Sequence, residues 1–121
     1  MLKKLRDQWK HLQNALKYSW MGLRTAFRKE KAFQQEVLLL LLIIPAGLWL
    51  GKTGVERALL IGSWVMVIII ELINSAIEAT IDRVGFEHHK LSGRAKDFGA
   101  ASVFCSIMLT IIIWVLVLSC G

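Results

Sequence analysis

Apolar residues recur every three or four positions at the start of the chain, and this spacing predicts an amphipathic helix over residues 2–29. The apolar positions are Leu2, Leu5, Trp9, Leu12, Leu16, Trp20, Leu23 and Phe27. Lysine, arginine and amide side chains occupy the other positions. Such a helix either packs on a soluble core or lies on a membrane surface, and its tryptophans and cationic face favour the membrane surface.

Three apolar segments follow, and they predict transmembrane helices over residues 32–50, 58–81 and 98–120. The uncharged runs Val37–Leu50 and Ala58–Ile70 are too short alone, because a helix rises about 1.5 Å per residue and the hydrocarbon layer is about 30 Å thick. Both spans must therefore include neighbouring polar residues. We expect an all-α membrane protein with a single domain over residues 1–121, in which residues 82–97 form a cytoplasmic loop.

Composition supports a membrane protein. Hydrophobic residues make up 55% of the 121 positions, which excludes a disordered chain and exceeds what a soluble core of this size would bury. The two cysteines, Cys105 and Cys120, lie in one apolar run without a metal-binding or redox spacing. We expect both to be free, buried thiols.

Basic residues are concentrated on one side of the predicted spans. Residues 1–31 contain nine Lys or Arg against two acids, and the loop 82–97 adds four more, whereas the opposite side has only Lys52 and Arg57. This asymmetry predicts that the N-terminus and the loop are cytoplasmic and that the C-terminus lies across the membrane. A basic segment attached to apolar spans also favours anionic lipid over nucleic acid as its partner.

An acidic stripe runs along the second span. The residues Glu71, Asn74, Glu78 and Asp82 are spaced so that they share one helix face. Carboxylates at membrane depth are costly and indicate a functional site, although a polar stripe that joins helices is an alternative. A set of oxygen ligands without a Cys or His cluster suits Mg²⁺. Glu30 and Glu36 are further acids on the same side.

The segment Glu87–Asp97 contains basic and polar side chains beside this stripe. It offers hydrogen-bond donors to a phosphate group, but a basic cytoplasmic loop can equally reflect membrane topology alone. The adjacent pair of histidines has no cysteine near it and is weak evidence of a metal site.

Four motifs, in order and spacing, resemble the small prokaryotic diacylglycerol kinases. They are Tyr18–Arg24, Glu30–Glu36, Glu71–Ala79 and Leu91–Asp97. The resemblance implies a homotrimer of three-span subunits, each with an N-terminal surface helix. Because one subunit has too few helices to enclose a metal, a nucleotide and a lipid headgroup, we expect the active sites to be shared between subunits. It implies transfer of the ATP γ-phosphoryl group to the primary hydroxyl of diacylglycerol, at the bacterial inner membrane, with a periplasmic C-terminus.

The same resemblance implies residue roles. Glu71 is the expected general base, Glu30 and Glu78 are the expected ligands of Mg²⁺, and Asn74 is expected to support the site. The expected nucleotide-binding residues are Tyr18, Glu30, Glu78, Glu87, His88, His89, Lys96 and Asp97. The expected lipid-binding residues are Ser19, Trp20, Arg24, Phe33, Glu36, Trp49, Arg57 and Trp114.

Two other interpretations stay open at this point. Similar proteins in Gram-positive bacteria phosphorylate undecaprenol, which would keep the chemistry and change the lipid. A non-catalytic membrane assembly or transport protein with an acidic relay would instead have no phosphoryl transfer at all.

Overall fold

The computed structural model of the chain describes residues 1–85 and 89–120. The described part consists of four helices, α1 (Leu2–Lys29), α2 (Lys31–Leu50), α3 (Gly54–Val84) and α4 (Lys90–Cys120). The last three are long and apolar enough to cross a membrane, which confirms the predicted number of spans. A helix pairs its backbone groups within one segment, as the hydrocarbon layer requires.

The loop predicted over residues 82–97 is wrong for most of its length. α3 continues to Val84 and α4 begins at Lys90, so both helices extend beyond their apolar runs. Residues 91–97 lack proline, and the good helix formers among them, such as Ala95 and Lys96, offset the unfavourable Gly93. α3 also begins four residues earlier than predicted, because the Thr53 side chain accepts a hydrogen bond from the Glu56 N–H at 3.1 Å and caps the first turn.

A sharp corner joins α1 to α2. Glu30 is the single residue between them, and its backbone is extended, with φ −102° and ψ 108°. The Gln34 side-chain amide donates to the carbonyl oxygens of Phe27 and Arg28, which lie in the last turn of α1 and need partners outside that helix. The corner therefore holds Glu30 where the two helices meet.

α3 and α4 pack antiparallel along most of their length. The Trp114 indole N–H donates to the Leu60 carbonyl at 3.0 Å, and the Thr110 hydroxyl donates to the Ser63 carbonyl at 3.1 Å. The buried residues of α4 are Gly99, Ser106 and Thr110, whose spacing of seven and four follows one helix face. Small residues therefore line this contact and allow the two helices to approach closely. Residues 100–102, although also small, lie on the exposed side of α4.

A small apolar core joins α1, α2 and α3. It is formed by Ala26, Phe33 and Ile68, with Leu72 packed against it. Most other apolar side chains of the spans are exposed in a single chain. Exposure of this apolar surface to water is unfavourable, and a bilayer or neighbouring subunits can cover it. The two cysteines are free thiols, as predicted, but the expectation that they are buried is wrong for the single chain, in which both are exposed on the apolar surface of α4.

Trp64 ties α3 to α2. Its indole N–H donates to the backbone carbonyl of Glu36 at 2.8 Å, and its ring packs beside the apolar core. This hydrogen bond fixes the height of α3 relative to the residues that follow the α1–α2 corner.

We expect Trp64→Phe to lower the free energy of unfolding by about 1–2 kcal/mol, because it removes this interhelical hydrogen bond and part of the ring contact. Titration with a denaturing detergent in mixed micelles measures the change. Trp49→Phe is the control, since Trp49 is 85% exposed and has no hydrogen bond to the described residues. Equal unfolding midpoints for the two variants would contradict a structural role for the Trp64 indole.

Candidate active site

The acidic stripe of α3 passes from buried to exposed along the helix. Glu71 and Asn74 are 8% and 7% exposed, Glu78 is half-buried, and Asp82 is exposed. The four side chains share one face as predicted, but only the first two are enclosed by the neighbouring helices. The burial gradient separates a desolvated carboxylate at Glu71 from solvated ones closer to the end of α3.

Asn74 connects the buried end of the stripe to Glu78. Its side-chain N–H donates to a carboxylate oxygen of Glu78 at 3.4 Å, a long hydrogen bond. Its amide oxygen is buried, has no hydrogen-bond partner in the described chain, and lies against Gly99 of α4. A Cβ atom at position 99 would collide with that oxygen, so glycine gives the Asn74 amide its space.

Three other carboxylates belong to the same part of the fold as Glu71. Glu78 lies about two helical turns further along α3, Glu30 lies at the α1–α2 corner, and Glu36 lies on α2. One oxygen of the Glu36 carboxylate is buried and has no hydrogen-bond partner among residues 1–85 and 89–120. Such a gathering of acids is unfavourable unless a cation or protons neutralise it.

A cation would have to find its remaining ligands elsewhere. Within the described residues, no three His, Cys, Asp or Glu side chains form a group that could hold a metal ion. Mg²⁺, however, is commonly held by one or two carboxylates together with substrate phosphates and water. Glu30 and Glu78 could supply the two carboxylates of such a site, in which substrate phosphates and water provide the other ligands.

An open groove of about 810 Å³ separates α1 from α3 beside Glu30. Ser19, Gly22 and Ala26 line it from α1, and Ser75 and Ala79 line it from α3. The small side chains on both walls leave room for a ligand at the corner. Sequence reasoning missed Ser75 and Ala79, although their spacing of four places both on one face of α3 next to the acidic stripe.

The predicted nucleotide-binding residues fall into two groups. Lys96 forms a salt bridge of 3.0 Å with Asp82, and Asp97 lines a polar recess with His89, Lys90 and Arg94. Tyr18 lies on α1 and is exposed. Glu87 and His88 lie outside the described residues. Basic side chains therefore line one end of the α3–α4 pair, just beyond the acids.

The predicted lipid-binding residues divide between the two ends of the spans. The first five of them belong to α1 or the start of α2, and Phe33 among these is only 3% exposed because it is part of the apolar core. Trp49, Arg57 and Trp114 lie at the far end, where the Arg57 side chain donates to the Gly51 carbonyl at 3.1 Å. α2 has 20 residues and is about 30 Å long, so one lipid headgroup cannot contact both sets.

Comparison with known proteins shows the family to which the chain belongs. The model of the prokaryotic diacylglycerol kinase family matches residues 17–118. The chain belongs to this family. It is 48% identical over 104 residues to the diacylglycerol kinase of Haemophilus influenzae, covering 86% of this chain and 88% of that one.

Two further relatives agree with this assignment. The diacylglycerol kinase of Escherichia coli K12 is 48% identical over 101 residues, which cover 84% of this chain and 83% of the relative. The diacylglycerol kinase of Pseudomonas aeruginosa is 45% identical over 109 residues, which cover 90% and 89%. The resemblance identified from the four motifs is therefore confirmed.

The contact between Asn74 and Gly99 predicts how a substitution at position 99 changes stability. We expect Gly99→Ala to lower the free energy of unfolding by about 1–3 kcal/mol, because the methyl group displaces the Asn74 amide or separates α3 from α4. Adding Asn74→Ala should recover most of that loss, since the obstruction is then gone.

Unfolding titrations of the two single variants and the double variant measure this coupling. Gly62→Ala is the matched control, because it adds the same methyl group inside α3 where no atom lies within 4 Å. Additive losses in the double variant would show that Gly99 and Asn74 act independently.

Proposed function

We propose that the chain transfers the γ-phosphoryl group of ATP to the primary hydroxyl of diacylglycerol and so forms phosphatidic acid. Its family and its relatives, which are named diacylglycerol kinases, support this reaction. The observation that carries the proposal is the buried carboxylate of Glu71, which lies among other acids on a membrane-spanning helix.

Glu71 is the proposed general base. It is separated from Glu78 by seven residues, which corresponds to about 10 Å along α3, and it lies on the side nearer the centre of the span. A lipid hydroxyl reaches this depth, whereas a nucleotide approaches from the solvated end. The Glu71 carboxylate would accept the hydroxyl proton as the oxygen attacks the phosphoryl group.

Glu30 and Glu78 are the proposed ligands of Mg²⁺. When bound, the ion would neutralise phosphate charge and the acids that gather around Glu71. The corner between α1 and α2 holds Glu30, and the Asn74 amide orients Glu78. Glu30 would therefore approach the phosphates from the corner and Glu78 from α3. The hydrogen bonds of Gln34 at the corner and of Asn74 to Glu78 support these positions before the nucleotide binds.

Nucleotide binding is proposed for the basic end of α3 and α4, together with Tyr18 of α1. Lys96 would contact a phosphate oxygen, and to do so it would share or release Asp82. That exchange costs little because both side chains of this salt bridge are about half exposed. Glu87, His88, His89 and Asp97 complete the proposed nucleotide-binding residues.

The lipid is proposed to enter along α1 and α2. Ser19, Trp20, Arg24 and Glu36 would border the glycerol end. Trp49, Arg57 and Trp114 would meet only the acyl chains, because they lie at the far end of the spans. The protein is a multi-pass membrane protein, and we propose that it resides in the bacterial inner membrane with its N-terminus in the cytoplasm and its C-terminus in the periplasm.

The decisive assay offers purified protein Mg-ATP with diacylglycerol or undecaprenol in mixed micelles. The proposal predicts phosphatidic acid as the product. Phosphorylation of undecaprenol alone would change the lipid assignment, and phosphorylation of neither lipid would favour an assembly or transport role.

Two carboxylate variants should separate proton transfer from metal binding. We expect Glu71→Gln to lower kcat by about 10²–10⁴-fold while nucleotide affinity is largely kept, because only the base is lost. Glu78→Gln should also abolish turnover, but because the affinity for Mg²⁺ and ATP falls. Nucleotide titrations at several Mg²⁺ concentrations distinguish the two, and equal losses of affinity would reverse the assigned roles.

We also propose a homotrimer whose sites are shared between subunits. One subunit leaves the groove beside Glu30 open and supplies two metal ligands, so a neighbour has room to complete the site. Mixing an inactive Glu71→Gln chain with an inactive Arg24→Ala chain should restore part of the activity, because some interfaces then combine intact halves. Persistent inactivity after verified mixing would mean that each subunit holds a complete site.

A further inference from the structure

Six basic residues form one continuous row along α1. We name this row the basic stripe, and it consists of Lys3, Arg6, Lys10, Lys17, Arg24 and Arg28. Successive helical residues turn by about 100°, so these six positions fall within a sector of about 60°. From Lys3 to Arg28 the row extends about 38 Å along the helix axis.

The basic stripe lies on the side of α1 that points away from the rest of the subunit. Ala26 is the buried residue of α1, and it lines the groove toward α3 together with Ser19 and Gly22. These three positions share the opposite side of the helix from the stripe. The stripe is therefore turned away from the middle of the groove beside Glu30.

The apolar face of α1 lies about a quarter turn from the stripe. Its side chains Leu5, Trp9, Leu12 and Leu16 are all exposed, and no described part of the chain covers them. α1 leads through the corner at Glu30 directly into the first membrane span. With this face in the bilayer boundary, the stripe is held at the level of the lipid headgroups.

The charges of the stripe are not neutralised within the subunit. None of its six side chains forms a salt bridge or a hydrogen bond with residues 1–85 or 89–120. α1 itself contains a single acid, Asp7. A row of unpaired cations at headgroup height is complementary to a negatively charged lipid surface.

We propose that the basic stripe, apart from Arg24, which is assigned above to the lipid substrate, binds the phosphate-bearing headgroups of anionic lipids in the bilayer that surrounds the protein. Each basic residue near such a surface strengthens the association about fivefold, so the stripe would hold the N-terminal half of α1 firmly on an anionic membrane. The proposal rests on the membrane orientation given above but not on the kinase reaction. It predicts that lipid charge controls how tightly α1 is docked.

Hydrogen–deuterium exchange of residues 2–17 tests this proposal in vesicles. The full-length protein is reconstituted in phosphatidylcholine alone, or with one lipid in three replaced by phosphatidylglycerol. A helix that leaves the surface loses support and exchanges faster. We expect slower exchange in the anionic vesicles, and we expect high salt to reduce the difference.

Two variants that remove equal charge show whether the stripe itself is responsible. Lys10→Gln with Lys17→Gln removes two charges from the stripe and should reduce the protection given by anionic lipid about 25-fold. Lys4→Gln with Lys31→Gln removes two charges from the same side of the membrane but outside the stripe, and should keep most of the protection.

Several outcomes would overturn the proposal. Equal losses in both variants would mean that general net charge, and not the stripe, attracts the membrane. If hydrogen-exchange protection of residues 2–17 does not depend on lipid charge but rises with protein concentration, the partner of the stripe is a second copy of the chain. Turnover with diacylglycerol is measured on the same vesicles, so a failure of lipid-dependent protection is distinguishable from a failure of the proposed kinase reaction.

Discussion

The buried carboxylate of Glu71 constrains the structure around it. A charge at membrane depth is tolerated only where helices, polar groups or a cation surround it. α4 can come close enough to cover this part of α3 because Gly99 leaves space for the Asn74 amide. α2 is tied to α3 at Glu36 by the Trp64 indole. The contacts between helices therefore enclose the residue whose charge would otherwise oppose the fold.

The same contacts explain why the acids differ although they share a face. Glu71 is enclosed, Glu78 is held by Asn74 at an intermediate depth, and Asp82 is exposed and paired with Lys96. One helix thus presents carboxylates in three dielectric environments. Phosphoryl transfer can use such a series, because a proton acceptor and metal ligands require different surroundings.

The sequence was sufficient to predict the three spans, the first helix and the shared face of the acids, because these follow from hydrophobic spacing alone. It was insufficient for residues 82–97, since a polar helix outside the membrane has no apolar run to mark its ends. The bonds made by Trp64 and Gln34 were also not foreseen, because each joins segments whose packing distance is set by the fold. The Asn74–Gly99 contact was not foreseen either, because hydrophobic spacing does not show which residues of two neighbouring helices touch.

The lengths of α3 and α4 have a consequence for how the two substrates meet. Each helix has 31 residues and is about 46 Å long, whereas the hydrocarbon layer is about 30 Å thick. Each helix is therefore longer than that layer is thick, and the polar Asp82–Lys96 pair lies where the two helices extend beyond their apolar runs. In the proposed reaction, a water-soluble donor would bind at this extension, while the lipid acceptor would stay nearer to Glu71. The distance along the helix axis between the basic recess and Glu71 is then fixed by the helix backbones and not by the substrates.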